Sequence, residues 1–258
     1  MCRGVIERPS SLLLLRAAMF QVTALILMAL VALLWLCGER GRLMLPSTRK
    51  LLQEMGWRRI FNLHFFHAYV YSRWINQYVA LAVKLVFPRL KYIERLWYWE
   101  WSNGHHGKVL PHDLARALIT VNQDIPRQDL EQIIPYPEAR NLVLDGTPDI
   151  AVHECACRKV RPNHNEPLQV CMVIGQPFVD FLLEHDPNGS RRITQAEALA
   201  LLEAEHERGH IHTAYFKNVL LDRFYVICNC CPCCCAGLEA MFKYGRPMVL
   251  SSGYIALI

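Results

Sequence analysis

Val219–Gly237 reads "VLLDRFYVICNCCPCCCAG". Its first half is rich in β-branched and aromatic residues, which predicts a strand or hairpin from Val219 to Ile227. That strand runs straight into a segment, Ile227–Gly237, in which six of eleven residues are cysteine. A strand that ends in thiols delivers them to one place. Six thiols so close in sequence cannot pair with one another without severe strain, because a disulfide needs its two backbones at a set separation.

Working outward, nine of the eleven cysteines lie between Cys155 and Cys235. A secreted disulfide framework spreads its cysteines over the fold, whereas thiolates around one cation or cluster converge. The upstream group is "ECACRKVRPNHNEPLQVC", with Cys155, Cys157, His164 and Cys171. The downstream group is Cys228, Cys230, Cys231, Cys233, Cys234 and Cys235. Within it Cys228, Cys231 and Cys234 form C-x2-C-x2-C, the three-ligand stretch that holds a [4Fe–4S] cube in bacterial ferredoxins. Cys230 and Cys233 form a second C-x2-C, so the phase stays open. A fourth ligand has to come from elsewhere, and Cys155, Cys157 or Cys171 are the candidates. All nine cysteines are candidate cofactor-binding residues. Cys155, Cys157, His164, Cys171, Cys228, Cys231 and Cys234 are the candidate metal ligands. One or two [4Fe–4S] clusters fit this donor set best; zinc or copper thiolate binding is the alternative. Arg158, Lys159 and Arg161 follow the first pair, either as stabilisers of thiolates or as an ordinary solvated basic loop. His210 and His212 are secondary ligand candidates. His105 and His106, in "NGHHG", read as a solvated turn.

The chain has 258 residues, of which 53% are hydrophobic and 20% charged, so it can bury a core and is not of disordered composition. The formal charge of +5 is spread along the chain, which argues against nucleic acid as a partner. Ala17–Cys37, "AAMFQVTALILMALVALLWLC", carries no charge. It predicts a single-pass membrane anchor; a cleaved signal peptide is the rival. Arg3, Arg8 and Arg16 precede it, and Arg40, Arg42, Arg49 and Lys50 follow, which places the remainder on the cytoplasmic side. Reduced thiols suit that side.

Pro46–Met55 reads as a short basic helix. Arg59–Phe87 reads as a helix with a narrow polar stripe at Arg73, Asn76, Gln77 and Lys84, either a core helix or one lying on the bilayer. Arg89–Trp101 reads as a further aromatic helix. Pro111–Thr120 and Arg127–Ile134 read as short helices, and Ile150–Val152 and Leu168–Ile174 as strands. Thr194 and Glu197 form a capping box ahead of a helix that Gly209 closes. The expected fold class is α+β: transmembrane and amphipathic helices, then a small mixed cysteine-rich metal-binding domain. The expected divisions are 1–43 for the tail and anchor, 44–103 for the amphipathic aromatic segment, and 104–258 for the iron–sulfur domain.

The stretch from Gly104 onward resembles a group of anaerobe-associated iron–sulfur proteins of 4Fe-4S ferredoxin type. "HHGKV", "HECACR", "PLQVC", "RRITQAEALALLEAEHERGHIH" and "ICNCCPCCC" carry the resemblance. His164 stands where that group often has a cysteine. Longer relatives continue past a stretch like "LSSGYIALI" into a ferredoxin module that this sequence does not contain. The cysteine run, the apolar anchor and the basic loop together predict a membrane-associated electron carrier or redox accessory subunit, with a redox protein and the membrane as partners; a zinc- or copper-thiolate structural or regulatory module is the alternative. No glycine-rich nucleotide motif, G-x-S-x-G or H-E-x-x-H is present, so no familiar enzyme class is indicated.

Overall fold

The computed structural model describes residues 11–56, 58–61, 63–89, 104–120, 149–163, 166–221, 223–246 and 248–250. The chain divides into two units, Met1–Leu45 and Pro46–Ile258. The first unit is dominated by α1, Ser11–Gly38. Within it Met19–Gly38 has a mean hydropathy of 2.4 and no buried residue in its most apolar window. This helix is long and apolar enough to cross a membrane. After it the chain turns through Arg40 and Gly41, both at positive φ. The buried Glu39 carboxylate accepts from the Leu45 amide, and the Trp35 indole donates to the Leu43 carbonyl at 2.7 Å.

The second unit mixes helix and strand. Its strands are β1 His105–Leu110, β2 Ile150–Glu154, β3 Gln169–Ile174, β4 Ser190–Ile193, β5 Ile211–Lys217, β6 Arg223–Cys230 and β7 Val249–Leu250. They form one sheet in the order β4-β2-β3-β6-β5-β1-β7. All pairings are antiparallel except β1 with β7. Its helices are α2 Pro46–Met55, α3 Arg58–Phe61, α4 His64–Arg73, α5 Ile75–Leu81, α6 His112–Thr120, α7 Ala156–Lys159, α8 Phe178–His185, α9 Gln195–Glu207 and α10 Ala236–Tyr244.

Side chains alternate across a sheet, so each strand feeds two faces. On one face Leu110, Val152, Met172, Ala214, Phe216 and Ile227 pack against α6 and α9 through Ala115, Leu118, Ile119, Ala198 and Leu202. This is the apolar core. The other face carries Cys171, Cys228 and Cys230, and α4, α5, α7 and α10 lie beside it. The α9 helix begins with the expected capping box: Thr194 accepts from the Glu197 amide, and Glu197 reaches back to the Thr194 amide. Gly209, at φ 74°, ends it.

Three sequence expectations are corrected. Arg59–Phe87 is not one helix. It breaks at Leu63, which is left-handed at φ 58°, and at Trp74, at φ −124° and ψ 44°. A π-helical turn at Ala82–Val86 then carries it to Phe87–Arg89. The breaks let the segment bend over the cysteine face and bury Phe65, Tyr69, Tyr71, Val83 and Phe87. His105 and Gly107 belong to strand β1 rather than to a solvated turn, because β1 pairs with β5 along its whole length. Strand β6 starts later than Val219 and extends through Cys230 into the cysteine run. The helices expected at Arg89–Trp101, beyond Arg89, and at Arg127–Ile134 lie outside the described residues.

Candidate metal centre

Three separate pieces of chain bring the cysteines together. Strand β2 ends at Glu154, and Cys155 is the extended residue that caps α7, with Cys157 inside that helix. Cys171 lies in β3, opposite His153 of β2. Cys228 and Cys230 alternate on β6, whose neighbours are β3 and β5. A turn over Pro232, closed by the Cys235 amide donating to the Cys231 carbonyl at 3.1 Å, brings the chain round to Cys235. Cys235 is the extended residue that caps α10. Gly237 lets α10 approach β5: a Cβ there would lie 2.3 Å from the Tyr215 hydroxyl.

Six sulfurs then close a ring. Cys155 touches Cys157 and Cys171. Cys157 also touches Cys235, and Cys171 also touches Cys228. Cys228 touches Cys230, and the Cys230 and Cys235 sulfurs lie 3.4 Å apart. The other three form a second group: Cys231, Cys233 and Cys234 have all their sulfurs within 4.8 Å of one another. Cys231 and Cys234 are buried and Cys233 is exposed. The C-x2-C-x2-C triplet is therefore divided, with Cys228 in the ring and Cys231 and Cys234 in the second group. Every described cysteine is free. His164 lies outside the described residues.

The ring is electrically uneven. Contact with the Cys157 and Cys171 thiols holds Cys155 well below the usual thiol pKa, helped by the backbone amide and guanidinium of Arg158 and opposed by burial. Contact with Cys157 and Cys230 does the same for Cys235, again against burial, with help from the Leu238 amide. Cys157, Cys171 and Cys228 are pushed up, by neighbouring sulfurs first and by burial after. Two ring members thus ionise readily and the rest donate to them or stay neutral. Burial, followed by contact with Cys234, raises Cys231 to about 12.

Cations surround these sulfurs. Arg158 is not part of a solvated loop. It is buried with Glu205 at 2.7 Å, and it donates to the Pro167 carbonyl and to the Asn229 carbonyl. Its field reaches Cys155 and Cys231. Arg161 pairs with Glu239 and faces Cys157 and Cys234. Lys159 is the exposed member of the trio and pairs with Glu154 at 2.5 Å. His210, a secondary candidate, hydrogen-bonds Glu205 at 2.7 Å rather than facing the ring.

A cavity of about 810 Å³ adjoins the ring. Its walls include eight of the nine clustered cysteines, together with Tyr71, Tyr215, Tyr225 and Lys217. Burial keeps the three tyrosines protonated. Tyr71 and Tyr225 share a 2.6 Å hydrogen bond, and Tyr225 reaches His105 Nε2 at 3.4 Å. Lys217 is 3% exposed, and its ammonium sits 4.5 Å from the Tyr71 ring centre. Among the described residues it has no carboxylate partner. Sequence reasoning missed this cation. The alternation of β5, which sets Thr213, Tyr215 and Lys217 on one face, was the available signal.

Burial lowers the Lys217 pKa from 10.5 to about 8. At about 1.4 kcal/mol for each tenfold change in proton affinity, this charge costs about 3 kcal/mol. Below pH 8 the lysine is charged in both folded and unfolded chains, and the cost is fully present. Above its unfolded value of 10.5 it is neutral in both, and the cost is gone. Between the two the unfolded chain holds the extra proton, so stability gains with pH. Lys217→Met is therefore expected to stabilise the metal-free chain by about 3 kcal/mol at pH 7. The advantage should vanish by about pH 10.5, which paired urea titrations at the two pH values measure. An equal advantage at both would contradict the assignment.

The donor set fits a soft metal or an iron–sulfur cluster. The sulfurs are reduced, grouped and flanked by cations. Arg158 Nε is buried without an acceptor among the described residues, and its residue lines the cavity beside the ring. A leftover donor at this spot suits a sulfide or thiolate acceptor. No protein-family model, curated protein or solved structure matches this chain.

Proposed function

We propose that this chain is a membrane-anchored iron–sulfur protein that carries electrons, or serves as a redox accessory subunit, for a protein partner. The observation that carries the proposal is the closed ring of six thiols drawn from three separate segments. A disulfide scaffold has no use for such a ring, while a [4Fe–4S] cluster takes four thiolates that converge on it. In this reading four of Cys155, Cys157, Cys171, Cys228, Cys230 and Cys235 hold the cluster, and the cavity beside them gives it room. Lys217, Arg158 and Arg161 offset the negative charge of a thiolate-bound cluster and favour its reduced state. The resemblance to 4Fe-4S ferredoxin-type proteins points the same way. Helix α1 serves as a single-pass anchor, with the thiols on the reducing, cytoplasmic side.

A specific observation supports a second reading for the smaller group. Cys231, Cys233 and Cys234 lie close enough to bind one zinc or copper ion directly. One experiment tests both. Chain purified without oxygen is expected to contain about four irons and four sulfides, in the proportion of a [4Fe–4S] cube. It should show broad visible absorption and a paramagnetic resonance signal on reduction. Stoichiometric zinc without iron or sulfide would overturn the iron–sulfur reading and leave the thiolate-metal one.

A further inference from the structure

On the far side of the sheet from the cysteine ring, three histidines from three elements converge. His112 opens α6, His206 lies near the end of α9, and His212 is on β5. One ring nitrogen from each lies within 4.8 Å of the other two. The rings of His112 and His206 stack with centres 4.3 Å apart.

The surrounding hydrogen bonds fix which nitrogens are bare. The Asn229 amide nitrogen donates to the Val170 carbonyl at 2.7 Å. Its oxygen is then the end that faces His212 Nδ1, at 2.6 Å. An amide oxygen only accepts, so His212 Nδ1 carries the proton and Nε2 is a lone pair. His112 Nε2 faces a Glu203 carboxylate oxygen at 3.2 Å, and a carboxylate also only accepts. His112 Nε2 therefore carries a proton, and in the neutral ring Nδ1 is a lone pair. These two lone pairs, His112 Nδ1 and His212 Nε2, point at each other across 3.1 Å. In the neutral rings two acceptors so placed need a cation between them, either a metal ion or a proton shared by the pair.

We propose that His112, His206 and His212 form a zinc site with a fourth, water-accessible position. Two nitrogens on a tetrahedral zinc, each at about 2.0–2.1 Å, lie about 3.3–3.4 Å apart, close to the spacing already present. Glu203 and Asn229 supply the outer hydrogen bonds that orient ligand histidines in zinc proteins. His206 is exposed, which leaves the fourth position open to solvent. Three imidazoles and no thiolate form a donor set that suits zinc, and they lie on the opposite face of the sheet from the thiol ring. Asn229 joins the two. It lies between Cys228 and Cys230 on β6, and its side chain orients a histidine of the other face.

The test uses the full chain, labelled with 15N in its histidine rings and dialysed against zinc beside His112→Ala and His206→Ala variants. The wild type is expected to hold one zinc more than either variant, with iron and sulfide content equal in all three. The ring nitrogens of all three histidines should shift on zinc addition. Because His206 is exposed, its variant is expected to keep the wild-type circular dichroism. Equal zinc in all three proteins would overturn the site. Ring nitrogens that respond to pH but not to zinc would also overturn it, by showing that only a shared proton sits between the lone pairs.

Discussion

With the proposed cluster in the thiol ring, Cys155→Ser and Cys235→Ser are each expected to strip the chain of nearly all its iron, while Cys37→Ser leaves iron unchanged. Cys155 and Cys235 are the two ring members whose thiols ionise most readily. A thiolate, not a thiol, is what captures a metal. Each also receives contacts from two ring neighbours, so its loss opens the ring at two points. Losing only an outer hydrogen-bond partner already costs roughly 10- to 100-fold in metal affinity, and losing a ligand costs more. Cys233→Ser, at the exposed member of the second group, should leave the ring's iron in place. The C-x2-C-x2-C pattern makes Cys231 a ligand instead, so adding Cys231→Ser to this panel separates the two assignments: its iron stays if the ring holds the cluster and falls if the triplet does. Equal iron in Cys155→Ser, Cys235→Ser and Cys37→Ser would rule out the ring.

The largest stability effect is expected at Glu205. Its side chain is fully buried and holds Arg158 at 2.7 Å, His210 at 2.7 Å and Arg208 at 2.6 Å. Glu205→Ala leaves the Arg158 guanidinium buried without its counter-charge, which costs about 3–5 kcal/mol. Arg158 also fastens the Pro167 and Asn229 carbonyls, so the loss should loosen the segment before β3 and the end of β6 together. Denaturant unfolding should show a large fall in midpoint. Replacing both partners with apolar residues, Arg158→Met with Glu205→Leu, should recover much of the loss, because no buried charge then remains. Lys50→Ala, which breaks a half-exposed pair with Asp180, should cost less than about 1 kcal/mol. A loss of that small size in Glu205→Ala would show that water reaches the pair and that it does not organise the site.

Much of the architecture was legible from the chain itself. Pro46–Met55 forms a helix at the boundaries its pattern suggests. The Thr194 and Glu197 pair and Gly209 bound α9 because capping is a local interaction, settled within a few residues. The apolar stretch near the N-terminus becomes α1 for the same reason: composition and period alone decide it. The strand leading into the cysteines was readable too, since β-branched and aromatic residues favour a pleated surface.

Which thiols meet was not readable. Spacing within Ile227–Gly237 groups Cys228 with Cys231 and Cys234, but alternation on β6 turns Cys228 and Cys230 to one face, and the Pro232 turn takes Cys231, Cys233 and Cys234 away from them. The partners Cys155, Cys157 and Cys171 reach the ring only because β3 separates β2 from β6 in the sheet. Strand order depends on pairings between distant segments, and no local propensity encodes it. The same holds for Lys217, Glu205, His112 and His206, whose residue types look solvated in sequence; His212 stands out only as a secondary ligand candidate. Local physics chose the elements, the sheet decided which side chains share a face, and burial then made Lys217 and Glu205 the charged groups beside the thiols.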